Sequence, residues 1–284
     1  KILNTTESYL LTGNHPNQSQ TTLHVAPATV LDTTMSNVKP LKKSSKLNNV
    51  CYDIRGELLQ TANRMEAEGQ RIIKLNIGNP APFGLLPPDE IVQDVSMNLA
   101  DASGYSDSKG IFSARKAILQ YYQAKGLLSA TDVGDVFIGN GVSELIVMTL
   151  QALLDDGDEV LIPMPDYPLW TAAANLAGGR AVHYRCQEDN GWQPDFEALE
   201  QMDLSRVRLM WTNYPNMPTG GNACRETYQR LGDFARRHDI VVVNDNPYSF
   251  ILNEGEKLSL LQVPGAKDCC IEFNSLSKSY NMPG

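Results

Sequence analysis

Apolar residues fall into two kinds of segment along the chain, one with helical spacing and one of strand length, and the two kinds alternate. Between Asp53 and Gly69, the residues Ile54, Leu58, Ala62 and Met65 share one face of a 3.6-residue repeat. That spacing predicts an amphipathic helix, with Gly69 as its stop. Further helices are expected near 88–100, 111–125, 143–154 and 224–238. Short apolar runs separate them: Ile72 to Ile77, ended by Gly78-Asn79-Pro80, then Val136-Phe137-Ile138, Glu159 to Ile162, Ala181 to Tyr184, Val207 to Trp211, Ile240 to Val243 and Cys269 to Phe273. Strands that alternate with helices imply an α/β domain with a mostly parallel sheet and flanking helices. Ligands of such sheets collect beyond the carboxyl ends of the strands, so the residues just after these runs are where chemistry is expected.

Composition narrows the function classes. The chain has 284 residues and a net charge of −9. That acidic balance argues against a nucleic-acid partner, which needs a basic face. No apolar run approaches the ~20 residues that cross a membrane, so no membrane partner is expected either. The five cysteines (Cys51, Cys186, Cys224, Cys269 and Cys270) form no C-x-x-C and no zinc spacing with histidine. The pair Cys269-Cys270 is expected to be buried as free thiols, and the odd, scattered count fits a reducing, cytoplasmic setting. Residues 1–46 are rich in Thr, Ser, Asn and Gln without a lasting period. They read as a disordered or extended tail, because such a segment buries too little apolar surface to offset its ordering entropy.

Five segments carry candidate chemistry. In Phe273-Asn274-Ser275-Leu276-Ser277-Lys278, a lysine follows a strand among small hydroxyl residues. Read alone it is a surface loop; as a nucleophile it would need burial or neighbouring positive charge. In Val243-Asn244-Asp245-Asn246-Pro247-Tyr248, a strand ends in a carboxylate with a phenol three residues on. This is good turn chemistry, and it also suits an aromatic cofactor whose ring nitrogen must stay protonated. Gly139-Asn140-Gly141-Val142-Ser143 joins a strand to a helix and presents backbone N–H groups to a phosphate. It lacks the ending of a P-loop and the full G-x-G-x-x-G of a dinucleotide site, which disfavours a dehydrogenase. Asn213-Tyr214-Pro215-Asn216-Met217-Pro218-Thr219-Gly220 is a rigid turn after a strand, and Pro165-Asp166-Tyr167-Pro168-Leu169-Trp170 places an aromatic where it could cover a flat ring.

In their order and spacing, these segments resemble the fold-type I, class I/II aminotransferases, enzymes that depend on pyridoxal 5'-phosphate. The resemblance runs from about Asn48 to Gly284. It implies that Lys278 carries the cofactor as a Schiff base and moves the substrate proton. Asp245 is implied as the partner of the pyridine nitrogen and Tyr248 as the donor to the ring oxygen. Gly141, Val142, Ser143 and Ser275 resemble the phosphate ligands, and Tyr167 the ring stacked on the pyridine. Gly78 resembles a backbone contact to the substrate carboxylate. Tyr105 resembles a tyrosine that reaches the phosphate of the neighbouring subunit, which implies a homodimer. The implied activity is transfer of an amino group between an L-amino acid and a 2-oxo acid. A β-lyase-like reaction on the same fold, or a non-catalytic binding or regulatory domain, are the rival readings, since fold does not fix function.

Two departures qualify the resemblance. Met217 stands where the family has an asparagine that bonds the ring oxygen; a thioether cannot donate, and Asn216 beside it is the candidate substitute. The family also continues past the position of Gly284 with a phosphate-binding arginine, a strand that inserts into the sheet, and a small domain whose arginine clamps the substrate carboxylate. The expected division is therefore a tail over 1–46, a segment over 47–100 that contributes to a small domain and the active-site rim, and an incomplete cofactor-binding large domain over 101–284. The resemblance implies that the C-terminal small domain lies outside this chain, which alone is expected to fold poorly or be inactive. Residues 48–200 are most similar to bacterial alanine (glutamate–pyruvate) aminotransferases, which suggests alanine and 2-oxoglutarate as substrates. Residues 201–284 are more similar to another class I/II branch.

Overall fold

Six strands form one sheet in the computed structural model, which describes residues 42–50, 56–74, 78–128, 131–251 and 255–283. The strands are β1 (Glu159–Met164), β2 (Arg180–Gln187), β3 (Gln193–Pro194), β4 (Val207–Thr212), β5 (Val241–Asp245) and β6 (Cys270–Phe273). Their order is β3-β2-β1-β4-β5-β6, parallel throughout except for the antiparallel β2–β3 pair. The mostly parallel α/β sheet expected from the alternating pattern is thus the one observed.

The helices explain why the central strands read as continuous apolar runs. The first four are α1 (Gly56–Ala67), α2 (Asp89–Asn98), α3 (Phe112–Ala124) and α4 (Val142–Leu153). The others are α5 (Pro168–Leu176), α6 (Phe196–Glu200), α7 (Arg225–His238), α8 (Ala266–Cys269) and α9 (Leu276–Ser279). On one face, Ile146 and Leu150 of α4 and Trp170, Ala173 and Ala174 of α5 pack on Val160, Ile162, Leu209, Trp211, Val243 and Phe273. On the other face, Tyr228, Leu231, Phe234 and Ala235 of α7 cover Leu161, Met210 and Val242. Strands buried on both faces have no polar side to alternate with. Each fully buried large side chain contributes about 1.5–3 kcal/mol, and Trp170, Trp211 and Phe234 are among them.

From β1 the chain builds outward through β2 to β3, then returns to the other side of β1 for β4, β5 and β6. The order therefore reverses between β1 and β4, and a crevice is expected beyond their carboxyl ends.

Some elements differ from expectation. Val136-Phe137-Ile138 is extended but joins no sheet among the described residues; the Ile138 N–H instead bonds the Lys109 carbonyl at 2.9 Å. Residues 71–74 form no regular element, and 75–77 lie outside the described residues, as do Ile54 and the tail to residue 41. A 3-10 turn at Ser45–Asn49 crosses the boundary expected at 46. Helix α1 forms, yet it buries none of its residues, and Leu58 is 84% exposed. Cys269 and Cys270 are buried free thiols, their sulfurs 3.8 Å apart. No helix among the described residues is long and apolar enough to cross a membrane.

Gly110 anchors the extended 136–138 segment. Its φ is 101°, a region that L side chains rarely adopt, and a β-carbon there would lie 2.7 Å from Ile138 Cβ. Strain of about 1–3 kcal/mol from the backbone adds to a similar overpacking cost. Gly110→Ala is expected to lower stability by about 2–6 kcal/mol on that basis, read as an earlier denaturation midpoint with unchanged steepness.

Candidate active site

Strand β5 alternates. Val242 and Asn244 face α7, while Val243 and Asp245 face the layer of α4 and α5. Asp245 is therefore delivered, at the carboxyl end of its strand, against an apolar wall that includes Trp211 and Phe273. It is only 4% exposed. The indole N–H of Trp170 donates to Asp245 Oδ2 at 3.0 Å, and Oδ1 has no partner among the described residues. Burial pushes this carboxyl up to about 6, against the opposing effect of the Trp170 N–H, which favours the charged form. Tyr248, half-buried in the following turn, is also shifted upward, first by burial and then by the nearby negative charge of Asp245. The phenol is thereby kept as a hydrogen-bond donor.

Trp170 is a residue the sequence did not single out as a partner for Asp245. Tyr167 caps the start of α5, with Pro168 at its first position, and Trp170 lies one turn on. The Tyr167 and Trp170 rings meet edge to face at 5.8 Å. A Tyr-Pro-x-Trp helix start after a strand is the available signal; it fixes both aromatics on one side of the crevice.

The turn after β4 is held by Asn213, another residue sequence reasoning passed over. Its Oδ1 accepts the Met217 N–H at 2.7 Å, and its Nδ2 donates to the Asp245 carbonyl at 2.5 Å. Asn216 spends its carbonyl oxygen on Thr219, at 2.6 Å to the hydroxyl and 3.2 Å to the N–H. Its Nδ2 reaches Asn213 Oδ1 only at 3.5 Å. What Asn216 retains to offer a ligand is thus a weakly engaged amide donor.

Helix α4 begins at the Gly-containing turn. Gly141 has φ 78° and caps the helix without a side-chain bond; Val142 and Ser143 open it, with Ser143 exposed. The Glu144 carboxylate accepts the Asn140 N–H. At Gly139 a β-carbon would lie 2.8 Å from Leu145 Cδ2, so the chain here passes close to its own helix. The helix N-terminus and small residues suit a phosphate.

After β6, Ser275 caps α9 by accepting the Ser277 N–H at 3.1 Å, and Lys278 follows with an exposed side chain that makes no hydrogen bond or ion pair among the described residues. Helix α9 packs on the 3-10 turn Ser249–Ile251 that follows Tyr248. The Asn281 side-chain amide donates to the Leu85 carbonyl, which brings the turn after Pro80 alongside. The structure therefore gathers Asp245, Tyr248, Tyr167 and Trp170, with the Lys278 turn against the Tyr248 turn. It leaves Tyr105 fully exposed and Gly78 with nothing within 4 Å of where its β-carbon would be.

Residues 70–284 match the family model described as aminotransferase class I and II. The chain belongs to that family. A glutamate–pyruvate aminotransferase of Haemophilus influenzae is 51% identical over 242 residues, which cover 85% of this chain and 60% of that protein. An alanine aminotransferase of Mycobacterium tuberculosis is 50% identical, over 85% of this chain and 56% of its own length. A solved aminotransferase from Escherichia coli superposes with a TM-score of 0.78 at 50% identity, covering 86% of this chain and 60% of that one. The chain spans about three-fifths of the length of these relatives. Class I/II aminotransferases use pyridoxal phosphate, and the groups at the carboxyl edge of this sheet fit it. Asp245 presents a buried carboxylate oxygen with no partner among the described residues, and α4 presents a helix start of small residues.

Proposed function

We propose that the protein is a pyridoxal-phosphate-dependent aminotransferase that moves an amino group between an L-amino acid and a 2-oxo acid, with alanine and 2-oxoglutarate as the pair. The observation that carries this reading is Asp245: a buried strand-end carboxylate near Tyr248, pinned through one oxygen by Trp170, with the other oxygen unpartnered among the described residues. When bound, the cofactor supplies an electron sink that requires a protonated ring nitrogen. Asp245 Oδ1 is the atom that would accept that N–H, while the Trp170 bond to Oδ2 fixes the plane of the carboxylate. The Tyr248 hydroxyl would donate to the ring oxygen, with the Asn216 amide as a weaker second donor. Tyr167 would cover the ring face. Gly141, Val142 and Ser143 at the start of α4, with the Ser275 hydroxyl, would hold the phosphate. Lys278 Nζ would form the covalent link and, once released, take the proton from the substrate Cα. Gly78 would meet the substrate carboxylate. Tyr105, projecting free of its own subunit, would complete a partner's phosphate site in a homodimer.

The resemblance to the glutamate–pyruvate and alanine aminotransferases supports the choice of substrates. The test is an absorbance spectrum of the purified protein with added pyridoxal phosphate, borohydride reduction, peptide mapping, and an assay of alanine with 2-oxoglutarate. A new absorbance band, with reduced cofactor fixed on Lys278, is the expected result, and glutamate formation is expected of a protein that also carries the family's C-terminal elements. A folded sample that retains no cofactor on Lys278 would overturn the reading. Release of pyruvate and ammonia from a β-substituted amino acid without an acceptor would replace transamination by elimination. Sedimentation as a monomer that still binds cofactor would remove the role of Tyr105.

A further inference from the structure

Glu272 lies on β6, paired in register with Asn244, and so projects to the face of the sheet opposite Asp245. Its carboxylate collects donors from three elements. Oε2 accepts the Leu260 N–H at 2.9 Å and Asn244 Nδ2 at 3.3 Å; Oε1 accepts the Ser259 hydroxyl at 2.9 Å and the Tyr122 hydroxyl at 3.4 Å. A phenol can donate and accept at once, and Tyr122 does both, because Asn274 Nδ2 donates to it at 2.8 Å. Asn274 Oδ1 in turn accepts the Ser275 N–H at 2.7 Å, and Ser275 Oγ accepts the Ser277 N–H at 3.1 Å. Successive hydrogen bonds thus run from Glu272 through Tyr122, Asn274 and Ser275 to the residue before Lys278.

The same carboxylate is tied to the residue before Asp245. Asn244 donates to both Glu272 and the Tyr228 hydroxyl, while its Oδ1 accepts the Tyr214 N–H at 3.2 Å and the Thr212 hydroxyl at 3.1 Å. Helix α9 has four residues. A single turn of helix has no stability of its own, since its nucleation is unfavourable. Its orientation must come from anchors outside it, and the bonds through Asn274 are such anchors on the β6 side. A half-satisfied polar cluster under a sheet would cost more than an apolar filling, and here the acceptors of Glu272 are all taken by donors from separate parts of the fold.

Resting on the aminotransferase reading for what the lysine does, we propose that Glu272 and Tyr122 are positioning residues that set the Lys278 turn against the strand end that carries Asp245. They act through Asn274 and Asn244 and touch no substrate. Tyr122→Phe keeps the ring and removes the hydroxyl, so Asn274 loses its acceptor. Amide exchange over Ser275–Tyr280 should quicken about tenfold, the scale of one lost hydrogen bond to a partly buried group, while the β1 amides are unchanged. Borohydride-trapped incorporation of pyridoxal phosphate at Lys278 should slow by a similar factor. Glu272→Gln preserves an acceptor for Leu260 and Asn244, and should show a smaller effect on both measurements. A folded Tyr122→Phe protein with unaltered exchange over 275–280, or with incorporation at Lys278 at the unsubstituted rate, would overturn the assignment. If that variant does not fold, Asn274→Ala cuts the same chain of bonds from its partly exposed end and is judged by the same two measurements. Failure of the unsubstituted protein to take cofactor on Lys278 would count against the aminotransferase reading; the exchange result still decides whether Tyr122 holds the turn.

Discussion

Alanine at position 278 is expected to leave no cofactor attached to the protein after borohydride treatment, and to reduce amino transfer by at least about 100- to 10,000-fold, the usual contribution of a positioned proton-transfer group. Both losses follow from one amine, which serves as covalent anchor and as proton carrier. Stability should hardly change, within about 0.5 kcal/mol, because an exposed side chain without partners among the described residues contributes little to the folded state. Cofactor binding without covalent retention, measured by dialysis before and after reduction, would separate the anchor from the phosphate and ring contacts. A cofactor band that survives reduction and dialysis in Lys278→Ala would mean that another lysine does this work.

Asp245→Asn should be the next most damaging change, lowering turnover by about 100- to 1,000-fold, the scale of losing one preorganised electrostatic contact. The variant also changes the pH response, and the sign can be worked out. Burial raises the Asp245 carboxyl from 3.8 to about 6, so the folded protein holds its proton more tightly than the unfolded chain. Its stabilising contribution is full below about pH 4 and is lost as the pH rises through about 6, where an ionised carboxylate must be kept in an apolar site. A ring N–H needs that ionised form as its partner. Cofactor affinity should therefore rise with pH through about 6 in the natural sequence, as the protein without cofactor becomes less stable over the same range. The asparagine variant should bind more weakly and show neither trend. Titration of affinity and of denaturation midpoint between pH 4.5 and 8 checks both, and an unchanged pH profile in Asp245→Asn would remove Asp245 from the role of ring partner.

Much of this architecture can be read from the chain because the central strands are buried on both faces. Val160 to Ile162, Val207 to Trp211 and Val241 to Val243 stand out as unbroken apolar runs. Helices α3, α4 and α7 stand out through their spacing. Other elements depend on partners remote in sequence. Val136 to Ile138 has strand-like residues, but a strand exists only where a neighbour accepts its hydrogen bonds, and this segment meets Lys109 instead. Helix α5 is short, starts with Pro168 and is rich in alanine, so no stripe of large apolar residues announces it. Asp245 was visible as a strand-end residue and Lys278 as a lysine soon after a strand, whereas Trp170, Asn213 and Tyr122 owe their importance to contacts 75, 32 and 152 residues away. Nothing local in a sequence encodes such pairings.

The split of β5 and β6 into two differently furnished faces also says where the protein can be rewritten. Tyr167 and Asn216 sit on turns beyond the strands and Gly78 in an irregular segment, each attached to its own piece of backbone and none threaded through the Glu272 cluster. Diversity introduced around such turns, with Tyr167 and Asn216 themselves kept for the cofactor ring, could redirect substrate preference while the register of the sheet stays fixed. Changes beneath it, at Asn244, Glu272 or Tyr122, would disturb the alignment of both strand ends together. A library meant to evolve new specificity belongs on the crevice side, and the opposite side is the part to hold constant.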